Sequence, residues 1–389
     1  MRLEEIQTAL RSEGLDGWLF FDHHRRDPLA YRVLQFTPGS MVSRRWYYFV
    51  PANGEPRKLE HKIEAHTLDA IPGKRATYAE WSEMAARLRE ILGGARKIAM
   101  QYSPMCSVPY VSMVDAGTME LVRSAGVEPV TAANLIQYFE ARWTKAQLES
   151  HFEAGRRIDR IRREAFERIG VKQRAGERAT EWDIQQFILE RYREDKIFID
   201  HGPDVAVNGN ASNPHYDPTR DACSEIRRGD IVLIDMWGKL DQPGSVYYDI
   251  TWVGFCGDRP PEAMQNVFDV VRRARDAAIE RVRSAVAEKR ELRGFEVDDA
   301  AREQIRAAGY GEYFFHRTGH SIGEEIHGTG ANMDNFETHD ERKVIPWTGF
   351  SIEPGIYLPE FGIRSEIDMF VDENSARVTG EMQEKILLI

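Results

Sequence analysis

The chain has 389 residues, 42% of them hydrophobic and 30% charged, with a formal charge of −11. That is long enough for two domains and apolar enough to fold as a globular protein, which excludes disorder. The acidic balance argues against nucleic acid or an anionic membrane as partner, because both call for basic patches.

In chain order, Leu3, Ile6 and Leu10 recur at helical spacing, and Gly14 stops that helix. Apolar stretches at 18–21, 46–50 and 97–102 are expected strands, and 81–92 is an expected helix closed by Gly93-Gly94. Near residue 140 the texture changes, so residues 1–140 are expected to form a small α/β domain and 141–389 a second one. The second opens with a long helix over 144–169, with Leu148, Phe152, Ile158, Ile161 and Phe166 on its apolar side. The cluster Arg156, Arg157, Arg160, Arg162 and Arg163 reads as its solvated face. Thr180 and Asp183 form a capping-box-like start for another helix. Pro260-Pro261 opens a third, with Met264, Val267, Phe268, Val271, Ile279 and Val282 as its stripe. A fourth covers 297–308 and ends at Gly309. Strands are expected at 231–237, 247–255, 350–357 and 363–371. Without a strict β-α-β-α rhythm the class is α+β, with helices packed on a largely antiparallel sheet.

No window approaches 18 consecutive apolar residues, so no membrane span is expected. The charged start lacks the apolar run of a signal peptide. Cys106, Cys223 and Cys256 are far apart and form no C-x-x-C pair, which disfavours a disulfide framework or a thiolate zinc site. The cytoplasm is the expected compartment.

The strands carry an anomaly. Asp235 interrupts IVLIDMW and Asp249 interrupts YYDITWVGF, and the segment between them can make a hairpin. Glu353 in FSIEPGIYL and Glu366 in GIRSEIDMFV repeat the pattern around a second short link. A carboxylate in an apolar strand is costly without a cation or strong donors. Singly, each has an ordinary explanation: a strand end, a cap, or an ion pair between Glu366 and Arg364. Together they would repel one another and protonate, and divalent ions remove that conflict. His316, His320 and His327 fall among glycines in FFHRTGHSIGEEIHG, where His320 can supply an imidazole ligand. Four carboxylates and one imidazole suit Mn²⁺, Co²⁺ or Fe²⁺, and Zn²⁺ is compatible.

The motifs VLIDMWG, YYDITW, HRTGHSIGEEIHG, SIEPGIYL and GIRSEID, in this order, resemble those of the pita-bread metallopeptidases, in particular prolidase and aminopeptidase P. The resemblance covers 141–389 by motif and 1–140 by size and texture. It implies a pita-bread catalytic domain, a curved and mostly antiparallel sheet covered by helices, after a smaller creatinase/prolidase-like α/β domain used for dimer contact and closure of the active site. It implies two metal ions, Mn²⁺ first among them, on Asp235, Asp249, His320, Glu353 and Glu366. It places proton-handling or substrate-contacting roles on His215 and His327, a further active-site histidine at His316, and a substrate-side arginine at Arg364. The implied reaction is cleavage of an Xaa-Pro bond in a small peptide by a metal-bridging hydroxide, with Glu353 taking the proton, in a homodimer. A non-peptide hydrolase or lyase on the same fold, or a binding protein without catalysis, are the alternatives. Trp252, Gly328 and the extra residues at 241–245 depart from the family pattern and are expected to shape the pocket walls.

Overall fold

In the computed structural model, which describes residues 2–39 and 41–389, the chain divides into two units, Met1–Glu140 and Ala141–Ile389. Among the described residues the first unit holds strands β1 (Gly17–Asp22), β2 (Trp46–Pro51), β3 (Arg57–His61), β4 (Lys74–Tyr78), β5 (Lys97–Met100) and β6 (Glu128–Thr131), in the order β4-β3-β2-β1-β5-β6. Helices α1 (Leu3–Ser12), α2 (Pro28–Leu34), α3 (Trp81–Leu92), α4 (Ala116–Ser124) and α5 (Ala133–Glu140) supply both coverings. The two central strands are apolar or aromatic over 18–21 and 46–51 because both faces are buried. Trp18, Phe20, Trp46 and Tyr48 face one cluster, with residues of α1, α2 and α5. Leu19, Phe21, Tyr47 and Phe49 face the other, with residues of α3 and α4. β3, β4 and β6 lie towards the margins and carry Arg, Lys, Thr and Glu, so hydrophobicity alone does not announce them.

In the second unit the Thr144 hydroxyl and the Gln147 side chain form a capping box that starts α6 (Lys145–Arg174), and Thr180 with Asp183 does the same for α7 (Glu181–Glu194). Then come β7 (Ile197–Phe198), β8 (Asp204–Val207), β9 (Ile231–Leu240), β10 (Tyr248–Phe255), α8 (Glu262–Ala287) and α9 (Gly294–Ala307). The C-terminal part holds β11 (Ser321–Ile322), β12 (Thr348–Ile352), β13 (Gly355–Tyr357), β14 (Gly362–Arg364), β15 (Ile367–Val371), β16 (Ala376–Val378) and β17 (Leu387–Leu388). β7, β8 and β10 all pair antiparallel with β9, while β17 joins β10 in parallel. β11-β12-β15-β16 and the pair β13-β14 are antiparallel throughout.

Period-two alternation decides what each face of β9 and β10 does. Val232, Ile234, Met236, Ile250 and Trp252 pack with residues of α6 and α7. Ile231, Leu233, Val253 and Phe255 join the core beneath α8 and α9. Further along that second face stand Asp235, Trp237, Asp249 and Thr251. One strand face is thus core at one end and polar at the other.

Two sequence expectations change here. The runs 350–357 and 363–371 are each two strands. Ile352 pairs with Ile367 and Gly355 with Arg364, and the ladder is interrupted between them at Glu353-Pro354 and Ser365-Glu366; Pro354 has no N–H to donate to it. The arginine cluster is not uniformly solvated. Arg162 is 1% exposed, its guanidinium lies 3.4 Å from the Trp252 ring centroid, and it donates to Glu381 at 2.6 Å. It sits four residues after Ile158, on the α6 face that meets the sheet.

A fully buried carboxylate anchors the segment 207–224. Glu181 accepts from the Val207 N–H at 2.7 Å and Asn210 Nδ2 at 2.9 Å, and from the Tyr216 hydroxyl at 2.7 Å and the Ser224 N–H at 2.5 Å. It is the first residue of α7, where the helix dipole favours a negative charge. The same segment touches the β13-β14 hairpin: the Ser212 hydroxyl donates to the Leu358 carbonyl, and a Cβ on Gly362 would come within 2.0 Å of the Ala211 carbonyl oxygen. Among the described residues no helix is long and apolar enough to cross a membrane.

Candidate metal centre

The β9-β10 register sets Asp235 opposite Thr251 and Asp249 opposite Trp237, so all four point to one side. Glu353 and Glu366 come from the interruption in the neighbouring ladder. His320 precedes β11, and its backbone N–H donates to Ser351 Oγ at 3.0 Å, while that hydroxyl donates to Glu353 Oε1 at 3.0 Å. His320 Nε2 stands 3.5 Å from Asp249 Oδ2 and 3.4 Å from Glu353 Oε1. Donor atoms of Asp249, His320 and Glu366 all lie within 4.8 Å of one another. The Thr251 hydroxyl donates to Glu366 Oε2 at 2.6 Å and accepts from Arg364 Nε at 2.9 Å. Arg364 also pairs with Asp235 Oδ2 and reaches the Tyr357 hydroxyl at 3.3 Å. The ion pair it makes is with Asp235 on β9, across the strands, rather than the same-strand pair with Glu366.

All nine residues singled out from the sequence line one cavity of about 260 Å³: Asp235, Asp249, His320, Glu353, Glu366, His215, His316, His327 and Arg364. A larger cavity of about 900 Å³ lies within 1–140, among Arg26, Arg44, Arg45, Tyr78 and Trp81. Among the described residues Asp115 is the one carboxylate on its wall, so chemistry rather than size distinguishes the smaller one.

The residues fit divalent cations. Asp235, Asp249, His320 and Glu366 are only 2–8% exposed. Asp235 Oδ1 is buried and has no hydrogen-bond partner among the described residues. Burial, then repulsion from Asp235, drives the Asp249 carboxyl far above the ordinary carboxylate range, and burial with repulsion from Asp249 does the same to Glu366. Burial also lifts Glu353, with His320 and Arg364 opposing. Such a group holds protons when cations are absent and exchanges them for cations when they arrive.

The three flanking histidines differ. Burial and the nearby Arg364 charge push His316 down to about 3, so its ring is neutral. Its Nδ1–H then donates to the Arg317 carbonyl at 2.7 Å, leaving Nε2 to accept from Tyr357 at 2.7 Å. His327 stacks edge-on against His320 with centroids 4.5 Å apart. Burial and the neighbouring rings lower it too, although its outer side opens to the cavity's solvent. His215 is exposed on the segment that Glu181 anchors.

Several contributors carry no signal when the sequence is scanned for isolated charges in apolar runs. Thr251, Ser351 and Asp368 each lie two residues from a candidate ligand, so strand periodicity would have placed them on its face. Asp368 accepts from the Asp249 N–H at 2.8 Å. Tyr357 and Asp204 have no comparable signal. The residues expected to reshape the pocket do not line it. Trp252 faces α6, Gly328 is occupied in a backbone bond to the Ser321 carbonyl at 2.7 Å, and 241–245 contribute no wall. His201, Asp204, Trp237, Arg317 and Ile326 stand there instead.

Known proteins bear on this arrangement. The model of metallopeptidase family M24 matches residues 149–373. A probable dipeptidase PepE of Mycobacterium tuberculosis is 26% identical over 346 residues, spanning 87% of this chain and 84% of its own. An Xaa-Pro dipeptidase of Pyrococcus furiosus is 32% identical over 163 residues, 42% of this chain and 43% of that one. The crystal structure of dipeptidase PepE from Mycobacterium ulcerans superposes with a TM-score of 0.65 at 23% identity, over 100% of this chain and 97% of that one. The shared architecture is the pita-bread fold with its preceding α/β unit.

Proposed function

We propose that this chain, which belongs to metallopeptidase family M24, is an exopeptidase that cleaves small Xaa-Pro peptides with two divalent ions on Asp235, Asp249, His320, Glu353 and Glu366. The observation that carries this reading is the convergence of those five side chains in one cavity, with the donor atoms of Asp249, His320 and Glu366 within 4.8 Å. When bound, such ions supply an activated water and polarise the scissile carbonyl. Mn²⁺ suits the oxygen-rich donor set best.

The chain's own residues do the rest. Glu353, lifted by burial, takes a proton from the water and returns it to the leaving nitrogen. Ser351 fixes that carboxylate by donating to it, and ties it to the His320 backbone. His327 and His215, on the cavity rim, donate to the oxygen that gains charge as the carbonyl is attacked. Arg364 orients Asp235, Thr251 and Tyr357 together, and Tyr357 in turn holds His316; both act on the substrate through these contacts. A homodimer in the cytoplasm belongs to the same reading, and the three unpaired cysteines accord with a reducing compartment.

The test is a panel of Xaa-Pro dipeptides and tripeptides with Mn²⁺ or Co²⁺ restored, beside non-proline controls. Turnover of dipeptides alone identifies a dipeptidase, and removal of the first residue from longer peptides identifies an aminopeptidase. Glu353→Ala and His320→Ala should abolish turnover with the fold retained. Absence of proline-peptide cleavage in the metal-loaded protein would refute the substrate class.

A further inference from the structure

Asp204 is a carboxylate in the cavity that the five candidate ligands and Glu353's proton chemistry leave unused. It begins β8 and pairs in register with Asp235 of β9. Directly paired residues on antiparallel strands project to the same face, with Cβ atoms roughly 5 Å apart. Asp204 therefore stands one strand over from a candidate metal ligand and lines the same cavity. Among the described residues nothing donates to its carboxylate. The nearby Arg364 is engaged with Asp235, Thr251 and Tyr357, and the neighbouring Asp217 accepts from Gln185 at 2.8 Å.

Charge leads to the missing partner. Two divalent ions would balance the four ligand carboxylates, and the Arg364 guanidinium is turned to Asp235, Thr251 and Tyr357, which leaves Asp204 without a bonded cation among the described residues. The substrate can bring one. In a peptide with a free N-terminus the ammonium nitrogen is two bonds from the first carbonyl carbon, a separation of roughly 2.5 Å fixed by covalent geometry. Any site that seats that carbonyl at the ligand cluster must also seat the ammonium beside it, away from bulk water. Asp204, beside Asp235 on the same cavity wall, offers the ammonium a carboxylate there, and a blocked N-terminus would leave that carboxylate desolvated and unpaired.

We infer that Asp204 receives the free α-ammonium of the substrate's first residue, which makes the cavity specific for unblocked peptide N-termini. The inference rests on the Xaa-Pro exopeptidase reading above. The experiment compares Leu-Pro with N-acetyl-Leu-Pro on metal-loaded wild type, Asp204→Asn and Asp204→Ala, with metal per chain measured for each. A parallel calorimetric titration uses L-leucine and N-acetyl-L-leucine as uncleavable probes. Asp204→Asn should lose about ten- to a hundredfold on Leu-Pro, mainly in KM, as expected for a charge-assisted hydrogen bond. The acetylated peptide should be unaffected, metal content should be unchanged, and the preference for L-leucine over its acetyl form should collapse. Should the Asn variant not fold, Asp204→Ala removes the charge without added volume. Retained discrimination in the variants would overturn the assignment. So would loss of bound metal, which would make Asp204 a ligand, or equal binding of both probes by wild type. If wild type cleaves no Xaa-Pro peptide the functional reading falls, and the calorimetric comparison still decides what Asp204 does.

Discussion

Replacing Glu181 by Ala removes a buried acceptor and leaves four donors behind. Val207 N–H, Asn210 Nδ2, the Tyr216 hydroxyl and Ser224 N–H all bond to that carboxylate at 2.5–2.9 Å. A hydrogen bond to a charged group contributes roughly 1.5–3 kcal/mol, and a stranded buried donor costs about 1–3 kcal/mol. The four share one acceptor, so they do not add. Water entering the vacated space also satisfies some of them. A net loss of about 3–5 kcal/mol is expected. In a domain of 150–250 residues each kcal/mol moves Tm by about 2–4 °C, so the catalytic unit should melt roughly 10 °C lower. Glu181→Gln keeps the shape but points an amide N–H₂ at two donors, so it should recover little. Scanning calorimetry of metal-loaded wild type and both variants measures this. The segment Glu181 holds also carries His215, so turnover should fall with stability even though Glu181 touches no substrate. A Tm change of less than about 3 °C for Glu181→Ala would refute the reasoning, because it would mean the carboxylate is not the anchor of 207–224.

Metal removal should make stability pH-dependent in a defined direction. The folded, metal-free chain keeps protons on Asp249 and Glu366, and holds Asp204 up to about 8 through burial and repulsion from Asp235. The unfolded chain releases those protons near pH 4, so unfolding becomes easier as pH rises. His151 and His316, pushed down by burial to about 4 and about 3, act the opposite way but only below about pH 6.5, where unfolded histidine titrates. Above pH 7 the carboxylates remain alone. Tm of the metal-free protein should fall between pH 7 and 9, while the rise in Tm on adding Mn²⁺ grows; a flat or rising metal-free profile contradicts the proton-for-cation exchange. Trp252→Phe should leave kcat/KM within about twofold of wild type while lowering Tm, since the ring stacks on Arg162 and faces away from the cavity. A large kinetic effect at unchanged Tm would show that Trp252 reaches the substrate after all.

Much of the molecule is readable from local patterns. Thr144 and Thr180 announce their helices through capping chemistry, and the aspartates stand out because each interrupts an apolar strand. What local patterns miss depends on neighbours. β4 is polar because it lies at a sheet edge, and β3 because its buried Lys58 and Glu60 both bond to the Leu68 backbone, which no sequence window displays. The interruption at Glu353-Pro354 is hidden because apolar residues continue on both sides of it. Arg162 looks solvated beside four other arginines until Trp252 is placed above it. Thr251 and Ser351 look like ordinary strand residues until the register shows which carboxylate each one holds. Tyr357 has its importance only through His316 and Arg364, residues 41 and 7 positions away in the chain.

The contact between the β13-β14 hairpin and the turn at Ala211-Ser212 joins two parts of the cavity that are distant in sequence. The hairpin root carries Glu353 and Glu366, and the turn leads to His215. Because Gly362 lies directly against the Ala211 carbonyl, backbone meets backbone with no side chain to yield between them. A graft or insertion at the hairpin tip would displace the rim histidine before it disturbed either carboxylate. For an engineer wishing to widen the substrate range, that tip is a lever on the cavity's mouth that leaves the floor in place, and any side chain at position 362 would jam it.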